Sequence, residues 1–217
     1  LKVHSIKQVP SALPALHTPD ASSVDCLRAL RLQLQQLGVG GHEKGLVVAG
    51  VMPKCGTSEL AANLAILFAK TGFKTLLIDA NFANPQLATL FGLDADIETG
   101  MTQFLDSAKT QLPTLHSFAH QTNFFMMLAN HSALFDKDSL SNVSLAYFYA
   151  IWAKQFDVII WDGCDLQNSV AADSLWQFCP ATLLTVRKHK TSHAVLKMAK
   201  AKLDAAKARC LGTVLYD

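Results

Sequence analysis

Four apolar runs constrain the fold of this chain more than any other feature: "GLVVAG" (45–50), "KTLLIDA" (74–80), "FDVIIWD" (156–162) and "ATLLTVR" (181–187). Each is close to continuous rather than alternating, the pattern of a strand covered on both faces. Further strands are expected at "NFFMMLA" (123–129) and "LGTVLY" (211–216). Helical spacing fills the intervals at Ser58 to Gly72, Leu140 to Gln155, Val170 to Phe178 and Ser192 to Lys207. Shorter helices are expected at Pro85 to Phe91 and Met101 to Ser107. Strand–helix alternation of this kind implies an α/β fold, a three-layer sandwich with a mostly parallel sheet and helices on both faces. Ligands of such sheets sit beyond the carboxyl ends of the strands. Those ends carry residues 51–57, Asp79, Asp162 and Arg187.

The alternation starts late. Residues 5–24 hold three prolines among small polar residues, so residues 1–24 read as an extended arm with little regular structure and 25–217 as one domain. The first helix is expected over "DCLRALRLQLQQLG" (25–38), with Leu27, Leu30, Leu34 and Leu37 as one apolar stripe and Gly38 as its stop. The net charge of +2 gives no push toward nucleic acid or an acidic partner. No apolar run approaches the roughly 18 residues that cross a membrane. The five cysteines (Cys26, Cys55, Cys164, Cys179, Cys210) are scattered and form no CxxC pair, which favours reduced thiols and a cytoplasmic location. His189 and His193 stand four apart with no carboxylate or cysteine beside them, and read as a solvated helix start rather than a metal site.

The stretch "VMPKCGTSELAANLA" (51–65) joins a buried strand to a helix as a phosphate-binding loop does. Such a loop needs glycines so that backbone N–H groups converge on the anion, a lysine for the outer phosphates, and a Ser or Thr for magnesium. Gly56 and Ser58 are present. Thr57 stands where the lysine belongs, Lys54 replaces a loop glycine, and Pro53 has no N–H to offer. Glu59 suits the helix dipole but repels a phosphate. A plain strand–turn–helix junction capped by Ser58 accounts for the stretch as well. Asp79 and Asp162 end buried strands, where a charge is costly unless something uses it. Two strand-end aspartates beside such a loop match the magnesium and water side of a nucleotide-triphosphate site; the alternative is that each only caps a turn.

The order "DCLRALRLQL…GLVVAGVMPKCGTSELAANLAILFAKTGFKTLLIDANFANPQLATLFGL…GMTQFL…FDVIIWDG…ATLLTVRKHKTSHAVLKMAKAKL…LGTVLYD" resembles the cytoplasmic domain of bacterial tyrosine kinases, within the wider MinD/ParA-like group of deviant P-loop ATPases. The likeness spans Asp25 to Tyr216. It implies Ser58, Asp79 and Asp162 as magnesium-side residues should nucleotide bind, and Gly56, Thr57 and Ser58 as the remnant of the phosphate loop. It implies that Asp25, Arg28 and Arg31 match an E-x-x-R-x-x-R helix used for assembly, with Asp in place of Glu. The departures fall on the chemistry. Thr57 replaces the phosphate lysine, and Met52 the signature lysine of the MinD branch. Asn81 replaces the second aspartate of a D-x-D pair, and Tyr216 an adenine-reading asparagine. Lys54 is the one loop cation that could substitute.

The resemblance implies a pseudokinase or pseudo-ATPase that binds magnesium-ATP or ADP weakly or not at all. It would act through partners in bacterial extracellular polysaccharide synthesis or export. The expected partners are copies of itself or an active relative, and a membrane-anchored polysaccharide co-polymerase that draws it to the inner membrane face. Two alternatives stay open: a weak ATPase or protein-tyrosine kinase using Lys54, Asp79 and Asp162, and a MinD/ParA-like spatial positioning protein.

Overall fold

The computed structural model describes residues 3–6, 13–18, 22–82, 84–93, 114–118, 121–129, 142–167, 171–179 and 181–217. The strands among them are β1 (Val3–Ile6), β2 (Gly45–Gly50), β3 (Thr75–Asp79), β4 (Leu115–Phe118), β5 (Gln121–Met127), β6 (Val158–Asp165), β7 (Ala181–Arg187) and β8 (Arg209–Tyr216). They form one sheet in the order β1-β4-β5-β3-β6-β2-β7-β8. Every pairing is parallel except β4 with β5, so the two strands β1 and β4 run against the other six.

The helices are α1 (Pro14–His17), α2 (Ser22–Gln36), α3 (Thr57–Lys70), α4 (Leu87–Leu90), α5 (Asn142–Trp152), α6 (Ala171–Trp176) and α7 (His193–Ala205). Side chains alternate across each strand and feed two cores. Leu46 and Val48 of β2 join the core under α2 and α3, while Val47 and Ala49 join the core under α5, α6 and α7. All residues of β2 and β3 are buried, as their unbroken apolar runs require. From Leu60 to Ala69, α3 is buried all round. Its alanines bring it close to the sheet, and α1 and α2 close its outer side.

The expected strands and the main helices are present, with shifted ends. The expected helix at 101–107 lies outside the described residues. Three readings need correction. The 5–24 segment is not structureless. Residues 3–6 add a strand, Leu13 and Ala15 are fully buried, and α2 starts at Ser22 rather than 25. A buried asparagine makes that possible. Asn63 of α3 accepts the Ala15 N–H through Oδ1 at 3.1 Å and donates through Nδ2 to the Glu59 carbonyl at 2.8 Å, while Lys70 Nζ donates to the Ala15 carbonyl. The α2 stripe is also shifted: Val24, Arg31 and Leu34 are buried, Leu27 and Leu30 half-buried, and Leu37 is 42 % exposed. Leu37 lies beyond the last helical residue. There Gly38 (φ 105°) donates to the Gln35 carbonyl and Val39 to the Leu34 carbonyl, the paired bonds of a Schellman cap. Strand β4 was not expected at all.

Candidate functional site

Residues 51–56 leave the carboxyl end of β2 and enter α3. Val51 donates to the Thr185 carbonyl on β7 and Leu166 donates to the Gly50 carbonyl, so the loop root is tied to both neighbouring strands. Ser58 does not cap α3. The helix begins at Thr57, and its N-cap is Gly56 in the left-handed region (φ 70°, ψ 23°) with no side-chain cap bond. Ser58 therefore lies in the first turn, where its hydroxyl favours the ionised form of Asp162.

Asp79 and Asp162 are register partners on adjacent parallel strands β3 and β6, and both are fully buried. Their surroundings differ. Asp79 organises the turn after β3: Oδ1 accepts from the Asn81 N–H and Oδ2 from the Leu87 N–H, each at 3.2 Å. Turn capping thus explains Asp79. It does not explain Asp162, both of whose carboxylate oxygens lack a hydrogen-bond partner; Ser58 is close enough to act electrostatically but outside bonding geometry. Burial pushes the Asp79 carboxyl up to about 7 against the pull of its backbone bonds. Burial, then the charge of Asp79, pushes Asp162 well above the usual carboxylate range. An orphaned carboxylate beside a hydroxyl and a second carboxylate is a donor set that fits a hard cation.

The phosphate side of the loop is built differently. The Thr57 hydroxyl, at the expected lysine position, is 2.9 Å from the Thr185 hydroxyl. Met52 is tied to the turn after β7, its Sδ accepting from the Thr191 hydroxyl at 3.5 Å. Lys54 is exposed at the loop tip in a left-handed conformation (φ 59°). Tyr216, at the end of β8, lies over Gly56 so closely that a Cβ there would sit 2.4 Å from its ring. Its hydroxyl donates to the Glu59 carboxylate, which pushes the phenol up to about 12, while nearby Arg187 acts the other way. No lysine stands at the helix start, where Thr57 takes its place, and a carboxylate bonded to a tyrosine occupies the first turn. These residues do not fit a nucleotide's phosphates.

The structure thus brings Gly56, Thr57, Ser58, Asp79 and Asp162 to one end of the sheet, with Lys54 at its rim. The Glu59–Tyr216 contact was missed; each residue was noted singly as a departure, but they stand 157 positions apart. Asp25 pairs with Arg28 at 2.7 Å on an exposed face of α2. Arg31 does not share that face. It is buried, donating to Gln35 Oε1 at 2.6 Å and Thr71 Oγ1 at 3.3 Å. Among the described residues no group of three His, Cys, Asp or Glu could hold a metal, and no helix is long and apolar enough to cross a membrane.

A mostly parallel sheet with a strand–loop–helix junction and two strand-end aspartates defines a P-loop NTPase-like fold. The structure superposes on the septum site-determining protein MinD of Pyrococcus horikoshii, solved with Mg-ADP, at a TM-score of 0.61 and 16 % identity, covering 80 % of this chain and 70 % of that one. It matches the kinase domain of the Escherichia coli tyrosine kinase Etk at a TM-score of 0.85 and 20 % identity, covering 96 % of this chain and 81 % of that one. No family model matches the chain. In sequence it is 23 % identical over 201 residues to the tyrosine-protein kinase YwqD of Bacillus subtilis, covering 93 % of this chain and 84 % of that protein. It is 22 % identical over 200 residues to the succinoglycan biosynthesis transport protein ExoP of Rhizobium meliloti, 91 % of this chain but 25 % of that protein. Several relatives of this chain are named as bacterial tyrosine kinases.

Proposed function

We propose that the chain is a non-catalytic member of this group, a pseudokinase that works by binding partners in bacterial extracellular polysaccharide synthesis or export. The observation that carries the reading is the state of the loop. Thr57 bonds to Thr185 where a lysine would meet phosphate, and Tyr216 covers Gly56 while bonding Glu59. Removing a single positioned donor from such a site costs about 10²–10³ in rate; here the principal cation is replaced and an anion stands in the first turn. The polysaccharide setting is supported by the relationship to ExoP. A membrane-anchored co-polymerase is the natural partner on that reading, and would hold the chain at the cytoplasmic face of the membrane. The exposed Asp25–Arg28 pair on α2 supports self-association, or pairing with an active relative.

Calorimetric titration of magnesium-ATP into the purified chain tests this. Absent or millimolar binding is expected. A micromolar dissociation constant, or tyrosine phosphorylation that Lys54→Ala abolishes, would sink it in favour of a working enzyme that uses Lys54.

A further inference from the structure

The near-neutral charge of the whole chain conceals a strong asymmetry. Residues 187–209, the end of β7, α7 and the start of β8, hold eight Lys and Arg against one acid, Asp204. That segment carries +7, while the whole chain carries +2, so the remainder sums to −5. Three of these cations have acidic partners: Lys188 with Asp217 at 3.3 Å, Lys200 with Asp204 at 2.7 Å and Arg209 with Glu43 at 2.6 Å. Lys190, Lys197 and Lys207 are exposed and have no acidic partner among the described residues. They stand before, on and after α7, whose 13 residues span about 20 Å. Met198, 69 % exposed, lies next to Lys197 on the same helix.

We propose that this basic strip along α7 docks on the headgroups of an acidic lipid bilayer. Its composition selects that partner. The exposed cations without an acidic partner among the described residues are lysines, mobile point charges suited to a diffuse anionic surface; recognition of a single carboxylate or phosphate group favours the planar fork of arginine, and Arg187 is only partly exposed. The exposed side of α7 offers no Trp, Tyr, Phe or Arg, the side chains that anchor protein interfaces and stack on bases. An exposed methionine amid lysines suits shallow contact with the headgroup boundary. The contact requires neither nucleotide nor the loop at 51–56, so it is independent of the pseudokinase reading.

Co-sedimentation with vesicles tests it, using phosphatidylcholine alone and phosphatidylcholine mixed with phosphatidylglycerol, each at low and high salt. The chain is expected to pellet with the acidic vesicles at low salt, and to be released by salt, which screens the attraction. It should stay in solution with the neutral vesicles. Each lysine near an acidic surface strengthens partitioning about fivefold, so Lys190→Ala with Lys197→Ala and Lys207→Ala should weaken it on the order of a hundredfold with an unchanged circular-dichroism spectrum. Equal pelleting of the triple variant overturns the proposal, as does equal pelleting with neutral vesicles. So does binding to polyglutamate or to DNA without binding to acidic vesicles, which would make the strip a site for an acidic protein or a nucleic acid.

Discussion

Asp162→Asn should make the protein more stable at pH 8, although it removes a side chain from the core. In the native protein the carboxyl is fully buried, without a hydrogen-bond partner, beside Asp79. A carboxyl raised in the folded state binds protons there that the unfolded chain has already released. Stability is therefore greatest below the unfolded value near 3.8 and falls as pH rises through the folded value, about 7 for Asp79 and well above the usual carboxylate range for Asp162. Each tenfold change in proton affinity corresponds to about 1.4 kcal/mol. The rise of Asp79 from 3.8 to about 7 thus corresponds to an upper bound of about 4 kcal/mol. Asparagine at 162 removes the charge there and its repulsion on Asp79, but leaves amide donors in need of partners, a cost of about 1–3 kcal/mol. The charge removed is buried and repelled by Asp79, so the gain should outweigh that cost at pH 8 and raise the melting temperature, by about 2–4 °C for each kcal/mol gained in a domain of this size. At pH 5 the raised Asp162 carboxyl holds its proton more of the time in the folded state, so the gain should shrink or reverse. Scanning calorimetry at both pH values reads the difference. A lower melting temperature for the variant at pH 8, or an equal gain at both pH values, refutes the electrostatic account.

Gly56→Ala should cost about 1–3 kcal/mol, because φ is 70° and the new methyl meets the Tyr216 ring; in a double-mutant cycle by urea unfolding, Tyr216→Ala should recover part of that loss, and strict additivity would mean the ring does not press on the loop. Asn63→Leu should cost about 1–3 kcal/mol by leaving the Ala15 N–H unpaired, and residues 13–17 should become more open to proteolysis; an unchanged digestion pattern would show that Asn63 does not hold that segment. Arg28→Glu, on an exposed pair, should lower the melting temperature by no more than about 2–4 °C and weaken self-association in light scattering; Arg31→Glu should destabilise the monomer further, since Arg31 is held between Gln35 and Thr71.

Where the physics is local, the fold could be read from the residues. Continuous apolar runs marked β2, β3, β6 and β7 because those strands are covered on both faces. Strand β4 escaped because "LHSF" mixes two polar residues into a short strand that pairs antiparallel with β5, and His116 is buried there despite its polarity. The proline-rich segment escaped because its order comes from contacts with α3, 48 residues away in the case of Ala15 and Asn63. Strand ends located Ser58, Asp79 and Asp162 together. The resemblance grouped Arg31 with Asp25 and Arg28 as an assembly motif, whereas its neighbours Thr71 and Gln35 draw it inward. The covering of Gly56 by Tyr216 has no sequence signal beyond two unusual residues in distant motifs.

The two halves of the site make opposite electrostatic demands. At the strand ends, Asp162 is buried with no partner from its own chain beyond the influence of Ser58, which costs stability and returns no structural bond. A core that needed only to fold would be served better by an apolar residue. At the loop, Thr57, Pro53, Glu59 and Tyr216 together turn an anion away. A site with a cation-seeking floor and an anion-refusing rim is poorly matched to magnesium-ATP as a unit, because the metal and the triphosphate enter a working site together and neutralise each other. Titration with magnesium chloride alone, beside the titration with magnesium-ATP, separates the halves. Raised thermal stability with magnesium and no further change on adding ATP is the outcome this division of charge requires. A response to magnesium-ATP that exceeds the response to magnesium would mean that the rim accepts phosphate after all, and that Lys54 or Arg187 turns toward it.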